Sequence, residues 1–154
     1  MRLAEKEFQH LEPTRSPLFQ GNTINEHWVN GLEAGDARQD TLEAFTSRFA
    51  RLQDTLGDKL LPRFFLLTGE KPGTFLDNLN RAERLGLIDS AAERLPLRTL
   101  RNKLIHDYME NARYFAESLN LANRSIDSLK EVYRRIVDYV RDVLSIDQAK
   151  LAST

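Results

Sequence analysis

The sequence predicts an all-α protein, a four- to five-helix up-and-down bundle entered by an irregular N-terminal arm. Two observations lead there. Apolar residues recur at intervals of three and four over long stretches, the spacing of one buried helix face, and no segment alternates with the period of a strand. Proline and glycine cluster between those stretches, where they separate one helix from the next. A chain of 154 residues, 41% hydrophobic and 29% charged, has the length for one core and the balance of a folded globular domain.

Residues 1 to about 12 carry Leu3, Phe8 and Leu11 at helical spacings and predict a short helix stopped near Pro13. From there to Gly35, Pro13, Pro17, Gly21 and Gly31 interrupt any period, which predicts an irregular arm anchored on the body by Phe19 and Trp28. From Asp36, the stripe Leu42, Phe45, Phe49, Leu52, Leu56 and Leu60 defines an amphipathic helix. It can continue through Phe64, Phe65 and Leu67 with a bend at Pro62, and Thr68 to Gly73 ends it. A third helix runs from about Thr74, with Phe75, Leu76, Leu79, Ala82 and Leu85 inward and Gly86 as its stop. A short turn through Ala91 to Arg94, capped by Asp89 or Ser90, precedes a new helix at Pro96. The last long helix carries Ile126, Leu129, Tyr133, Ile136, Val140 and Val143, with residues 112–122 leading into it. The organisation expected is an arm over 1–35, a bundle over 36–146 and a frayed tail over 147–154.

Composition removes several kinds of function. Without cysteine there is no disulfide, thiolate metal site or cysteine nucleophile, and His10 and His27 have no second ligand near them in sequence. No metal or cofactor is expected. No apolar run reaches the ~18 residues of a membrane span, and the charged N-terminus is unlike a signal peptide, so a cytoplasmic protein with no membrane partner is the expectation. A net charge of −1 gives no global attraction for nucleic acid, so RNA binding requires a local basic patch.

One stretch concentrates reactive groups: Arg101, Asn102, His106 and Tyr108 lie within two helical turns. At about 100° per residue, Leu97, Leu100, Leu104 and Tyr108 share a face, and Arg101 falls inside it. A guanidinium in an apolar stripe must snorkel, find a carboxylate or line an anion-receiving cleft. His106 projects roughly 140° away from Arg101, so the two converge only through a helix break or across a dimer interface. Arg81, Arg84, Arg94, Arg98, Arg101 and Lys103 make the region locally basic, although Glu83, Asp89 and Glu93 interleave with them. On spacing alone, a rim arginine and a solvent histidine on an ordinary bundle helix remain an equal reading.

The string Arg101-Asn102-x-x-x-His106-x-Tyr108, late in a small helical chain, resembles the motif of the HEPN superfamily and more narrowly that of the HepT toxins. The resemblance covers the motif and, more loosely, residues 35–145. It implies a metal-independent endoribonuclease working as a homodimer whose two motifs line one cleft, within a type VII-like toxin-antitoxin pair. It further implies a cognate nucleotidyltransferase antitoxin that AMPylates the motif tyrosine. Arg101 and His106 would then be catalytic, Asn102 supporting, Tyr108 the modification acceptor, and Arg94, Arg98 and Lys103 the RNA-binding cations. Two alternatives stand beside it. One is a non-catalytic helical adaptor that presents substrate to a partner nucleotidyltransferase. The other is a structural bundle, favoured if Arg101 is buried in an ion pair.

Overall fold

The computed structural model describes residues 2–106 and 110–152, and every regular element among them is helical. α1 spans Arg2–Phe19, α2 Glu26–Asn30 and α3 Ala37–Asp54. A π-helical stretch, Thr55–Leu60, joins α3 to α4, Leu61–Leu67; α5 spans Phe75–Arg84, α6 Ala91–His106 and α7 Ala112–Ala152. No described helix is long and apolar enough to cross a membrane.

Cross-links between side chains fix the topology. Along α1 and α3, the Phe19 and Phe45 rings meet at 5.3 Å, Arg48 donates to the His10 carbonyl at 2.7 Å, and Arg51 faces Glu7 at 3.7 Å. The numbers rise on one helix as they fall on the other, so the pair is antiparallel. The same holds for α1 and α7, where Arg15 pairs with Asp127 at 3.0 Å and the Tyr133 hydroxyl donates to Glu5 at 3.0 Å. α6 lies antiparallel to α3 and the stretch after it, with Arg101 on Asp54 and Arg98 on Asp58, and antiparallel to α7, with Arg94 on Ser128 and the preceding Asp89 on Arg135. The four long helices therefore alternate in direction in the ring α1, α3, α6, α7: an up-and-down bundle. Phe45, Phe49, Phe64, Phe65, Phe115 and Leu119 are fully buried at its centre.

α1 departs from expectation. It passes through Pro13 and Pro17 and ends only at Phe19, with Gln20 at φ 48° turning the chain. Each proline removes one backbone donor. Burial of Leu11, Leu18 and Phe19, together with the Arg15 pairs to α7, outweighs those losses. The irregular arm thus begins at Gln20, and what precedes it is a wall of the bundle. Phe19, expected as an anchor of the arm, is a buried residue of α1 itself, and the arm is held by Ile24, whose backbone N–H and C=O both bond the Asn120 side chain of α7, at 2.8 and 2.7 Å. Trp28 is half-buried, with the Arg38 guanidinium 5.5 Å from its ring centre.

The remaining boundaries follow local chemistry. Asp36 caps α3, and Thr74 with Asp77 forms a capping box at the start of α5. Gly86, at φ 72°, ends α5 as expected, its left-handed backbone letting the Leu87 N–H reach the Ala82 carbonyl. Leu76 is exposed rather than inward; Asn78 is buried in the α5 face and clamps the Gly73 backbone through both ends of its amide. The expected break before Pro96 is absent, because buried Ala91, Leu97 and Leu100 hold one helix across the missing donor. α7 likewise stays helical to Ala152, beyond the expected fraying point, since no glycine or proline interrupts it.

Truncating Leu119 to alanine is expected to lower the unfolding free energy by about 2–5 kcal/mol, seen as a lower urea midpoint at unchanged slope. Acid should destabilise the fold. Hydrogen bonds from Arg134 and Arg135 hold the Glu131 carboxyl down at about 2, and Arg15 depresses Asp127. The unfolded chain therefore binds more protons than the native one below the ordinary carboxylate range, and this stability is lost as pH falls from about 4 toward about 2. Chemical denaturation at stepped pH measures it; a midpoint flat over that window would remove these pairs from the account.

Candidate functional site

The site region is built on α6. Its first turn is satisfied by the Glu83 carboxylate, which accepts from the Ala91 N–H at 2.9 Å, and by the Ser90 hydroxyl, which accepts from the Glu93 N–H at 3.3 Å. Ser90 was an expected cap; Glu83, supplied by the preceding helix, was not foreseeable from local sequence. Asp89, the other expected cap, instead pairs with Arg135 of α7 at 2.7 Å. Leu97, Leu100 and Leu104 are buried as the stripe requires.

Arg101, inside that stripe, finds a carboxylate. Its Nη1 donates to Asp54 Oδ1 at 2.8 Å, with the two side chains 40% and 36% exposed. Its Nε is buried and has no hydrogen-bond partner among the described residues. Asn102, Lys103 and His106 are exposed, and His106 closes the described part of α6. α7 begins at Ala112 and runs antiparallel to α6. Tyr108 lies outside the described residues. Within one chain, Arg101 thus reaches inward to α3 while His106 faces solvent.

The basic residues divide in the same way. Arg94, Arg98 and Arg101, spaced by four and three, line one inner cavity of about 80 Å³. Arg98 lies 4.5 Å from the Phe75 ring centre and 3.9 Å from Asp58. Arg94 bonds Ser128 at 3.1 Å, and burial pulls its guanidinium below the ordinary arginine value, only partly opposed by Asp89 and Glu93. Lys103 and Asn102 line a shallow outer groove with Thr74, Leu76 and Pro96. Arg81 is used locally, donating to the Lys71 carbonyl at 2.6 Å. The expected patch is therefore two surfaces, with Asp54 and Asp58 offsetting much of the inner charge.

Asp54 and Asp58 were not singled out from the sequence, nor was Gln53 beside them. The available signal was two carboxylates four apart beside the α3 stripe, a one-turn spacing close to the three that separates Arg98 from Arg101 on α6. The π-helical stretch that orients them carries a signal too, Gly57 followed by Pro62 inside an apolar stripe. Compared with family models, curated proteins and solved structures, the chain finds no match.

Because both partners of the Asp54–Arg101 pair are more than a third exposed, Asp54→Asn is expected to change stability by less than about 1 kcal/mol. Urea denaturation measures it. A loss of several kcal/mol would make the pair an element of the fold rather than of a site.

Proposed function

We propose that this protein is a HepT-like HEPN toxin, a metal-independent endoribonuclease that acts as a homodimer and is neutralised by a cognate nucleotidyltransferase. The observation that carries the reading is the arrangement of α6: Arg101, Asn102 and His106 occupy its last two turns, with Asn102 and His106 exposed and Arg101 half-exposed. The helical bundle around them agrees with the resemblance in the motif.

The chemistry suits these groups. One imidazole takes the proton of a ribose 2′-hydroxyl as that oxygen attacks the adjacent phosphorus. The bond from phosphorus to the leaving 5′-oxygen breaks, and a second imidazole protonates that oxygen, giving a cyclic phosphate and a free 5′-hydroxyl. A single His106 cannot be base and acid in one step; a two-fold dimer brings two. Arg101 steadies the charge on the crowded phosphate, with Asn102 supporting the pair. Arg94, Arg98 and Lys103 hold the RNA backbone, Lys103 from the outer groove. AMP added to Tyr108 would place a phosphate near Arg101 and block the cleft by charge and volume.

The Asp54–Arg101 pair favours a second reading, because it draws the guanidinium away from the face that carries His106. In that reading the chain is a structural bundle whose surface happens to carry the motif; the non-catalytic adaptor for the nucleotidyltransferase is the other alternative. The assay that separates them is RNA cleavage by the purified chain in EDTA. Cleavage is expected, with His106→Ala lowering the rate by about 10²–10⁴; full activity in that variant would remove His106 from the mechanism. Co-expression with the nucleotidyltransferase should add the mass of one AMP group, and Tyr108→Phe should abolish that gain. Stable co-purification without cleavage would support the adaptor.

A further inference from the structure

The unpaired polar atoms beside the inner cavity, both ends of the Gln53 amide and Arg101 Nε, are sealed from solvent, so the side of α6 open to a partner is the outer groove. That groove is an open trough between the start of α5 and the middle of α6. Two leucines line it, Leu76 at 46% and Leu95 at 39% exposure, with Pro96 beside them. Among the described residues, the charged side chains of the lining are Arg98 and Lys103, with no carboxylate. Asp58 approaches Arg98 at 3.9 Å from the inner cavity and offsets part of that charge. Asp77, next in sequence to the α5 wall, is turned back onto the Thr74 backbone and hydroxyl.

Shape, charge and the state of its one ring narrow the occupant. An open trough leaves most of a small molecule in water, whereas a small-molecule site encloses its ligand. A second copy seated by a two-fold contact would set Arg98 and Lys103 against the same cations. A nucleic acid strand meets the cations at the rim but leaves the leucines uncovered, and it finds no free ring to stack on. The Phe75 ring packs its edge on Gly57, where an added Cβ would stand 2.9 Å from Cε2, and the Arg98 guanidinium lies 4.5 Å from the ring centre. An acidic amphipathic helix answers both halves of the lining: its apolar stripe covers Leu76, Leu95 and Pro96, and flanking carboxylates reach Lys103 and Arg98. From Leu95 to Lys103 α6 rises about 12 Å, roughly two helical turns.

We propose that the outer groove is the docking site for an acidic amphipathic helix of a partner protein. Two apolar anchors one turn apart sit between Leu76 and Leu95. Carboxylates beside them pair with Lys103 and Arg98, while Thr99 and Asn102 supply neutral hydrogen-bonding groups along the α6 wall. The inference does not rest on RNA cleavage and is read by binding alone.

Fluorescence anisotropy of labelled peptides of about 16 residues with the full chain tests it. The probe carries leucines at every third or fourth position with glutamates on either side. One control replaces each glutamate by lysine, another each leucine by serine, and a single-stranded polyuridine of about ten nucleotides stands for nucleic acid. The acidic amphipathic peptide is expected to bind with a Kd below about 1 mM, tighter than either control peptide by about tenfold or more, and to weaken in high salt. Leu95→Ser should weaken it by about tenfold, and Lys103→Glu should erase its advantage over the lysine peptide. Thermal melts of each variant confirm folding; should Leu95→Ser fail to fold, Leu76→Ser replaces it. No binding of the acidic peptide at about 1 mM, equal binding of either control, or binding unchanged in either variant overturns the proposal. So does tighter binding of the polyuridine that Leu95→Ser abolishes, which gives the groove to nucleic acid, or a dimer in sedimentation that Leu95→Ser dissociates, which gives it to a second copy.

Discussion

A proline that donates no hydrogen bond sits at position 62, inside the apolar stripe that begins at Leu42, and the chain accommodates it without losing the helical path. It widens: over Thr55–Leu60 the helix is π-helical, and the Leu61 N–H reaches back five residues to the Leu56 carbonyl. A wider turn inserts one residue into the register and rotates everything before it relative to everything after it. That rotation lets Phe64 and Phe65 complete the core begun by Phe45 and Phe49. It also sets Gln53, Asp54 and Asp58 against α6. The partner of Arg101, the cavity beside it and the packing of α5 over Gly57 all follow from how this one position is absorbed.

Electrostatics in the bundle are organised by helix pairing. α1 and α7 are laced by Arg15 with Asp127 and by Tyr133 with Glu5, where burial and the Glu5 bond push the phenol up to about 12. α3 and the π-helical stretch after it are laced to α6 by Asp54 with Arg101 and Asp58 with Arg98. Most of these pairs are half-exposed, so each adds little stability and their larger effect is on register.

The consequence for α6 is a helix with two working sides. Its inner side carries arginines that are partly neutralised and a cavity with unpaired polar atoms. Its outer side carries Asn102, Lys103 and His106 in solvent. The nuclease reading draws on both, because Arg101 belongs to the inner side and His106 to the outer. It gains its geometry when a second copy supplies the missing imidazole and the Arg101 guanidinium is shared between Asp54 and a substrate phosphate.

Much of the fold was legible in residue order. The stripe from Leu42 to Leu60, the Thr74 start and Gly86 stop of α5, and the run from Ile126 to Val140 are local patterns, and local hydrogen bonding and periodicity make them so. The reactive octapeptide, with Arg101 inside a leucine stripe, was legible for the same reason. Tertiary structure alone decided that α1 continues through Pro13 and Pro17, that α6 continues through Pro96, and that Asp54 rather than a residue of α7 receives Arg101. Each depends on burial or charge pairing between residues distant in sequence, and those energies exceed the local penalty of a missing backbone donor without leaving a mark in the neighbouring sequence.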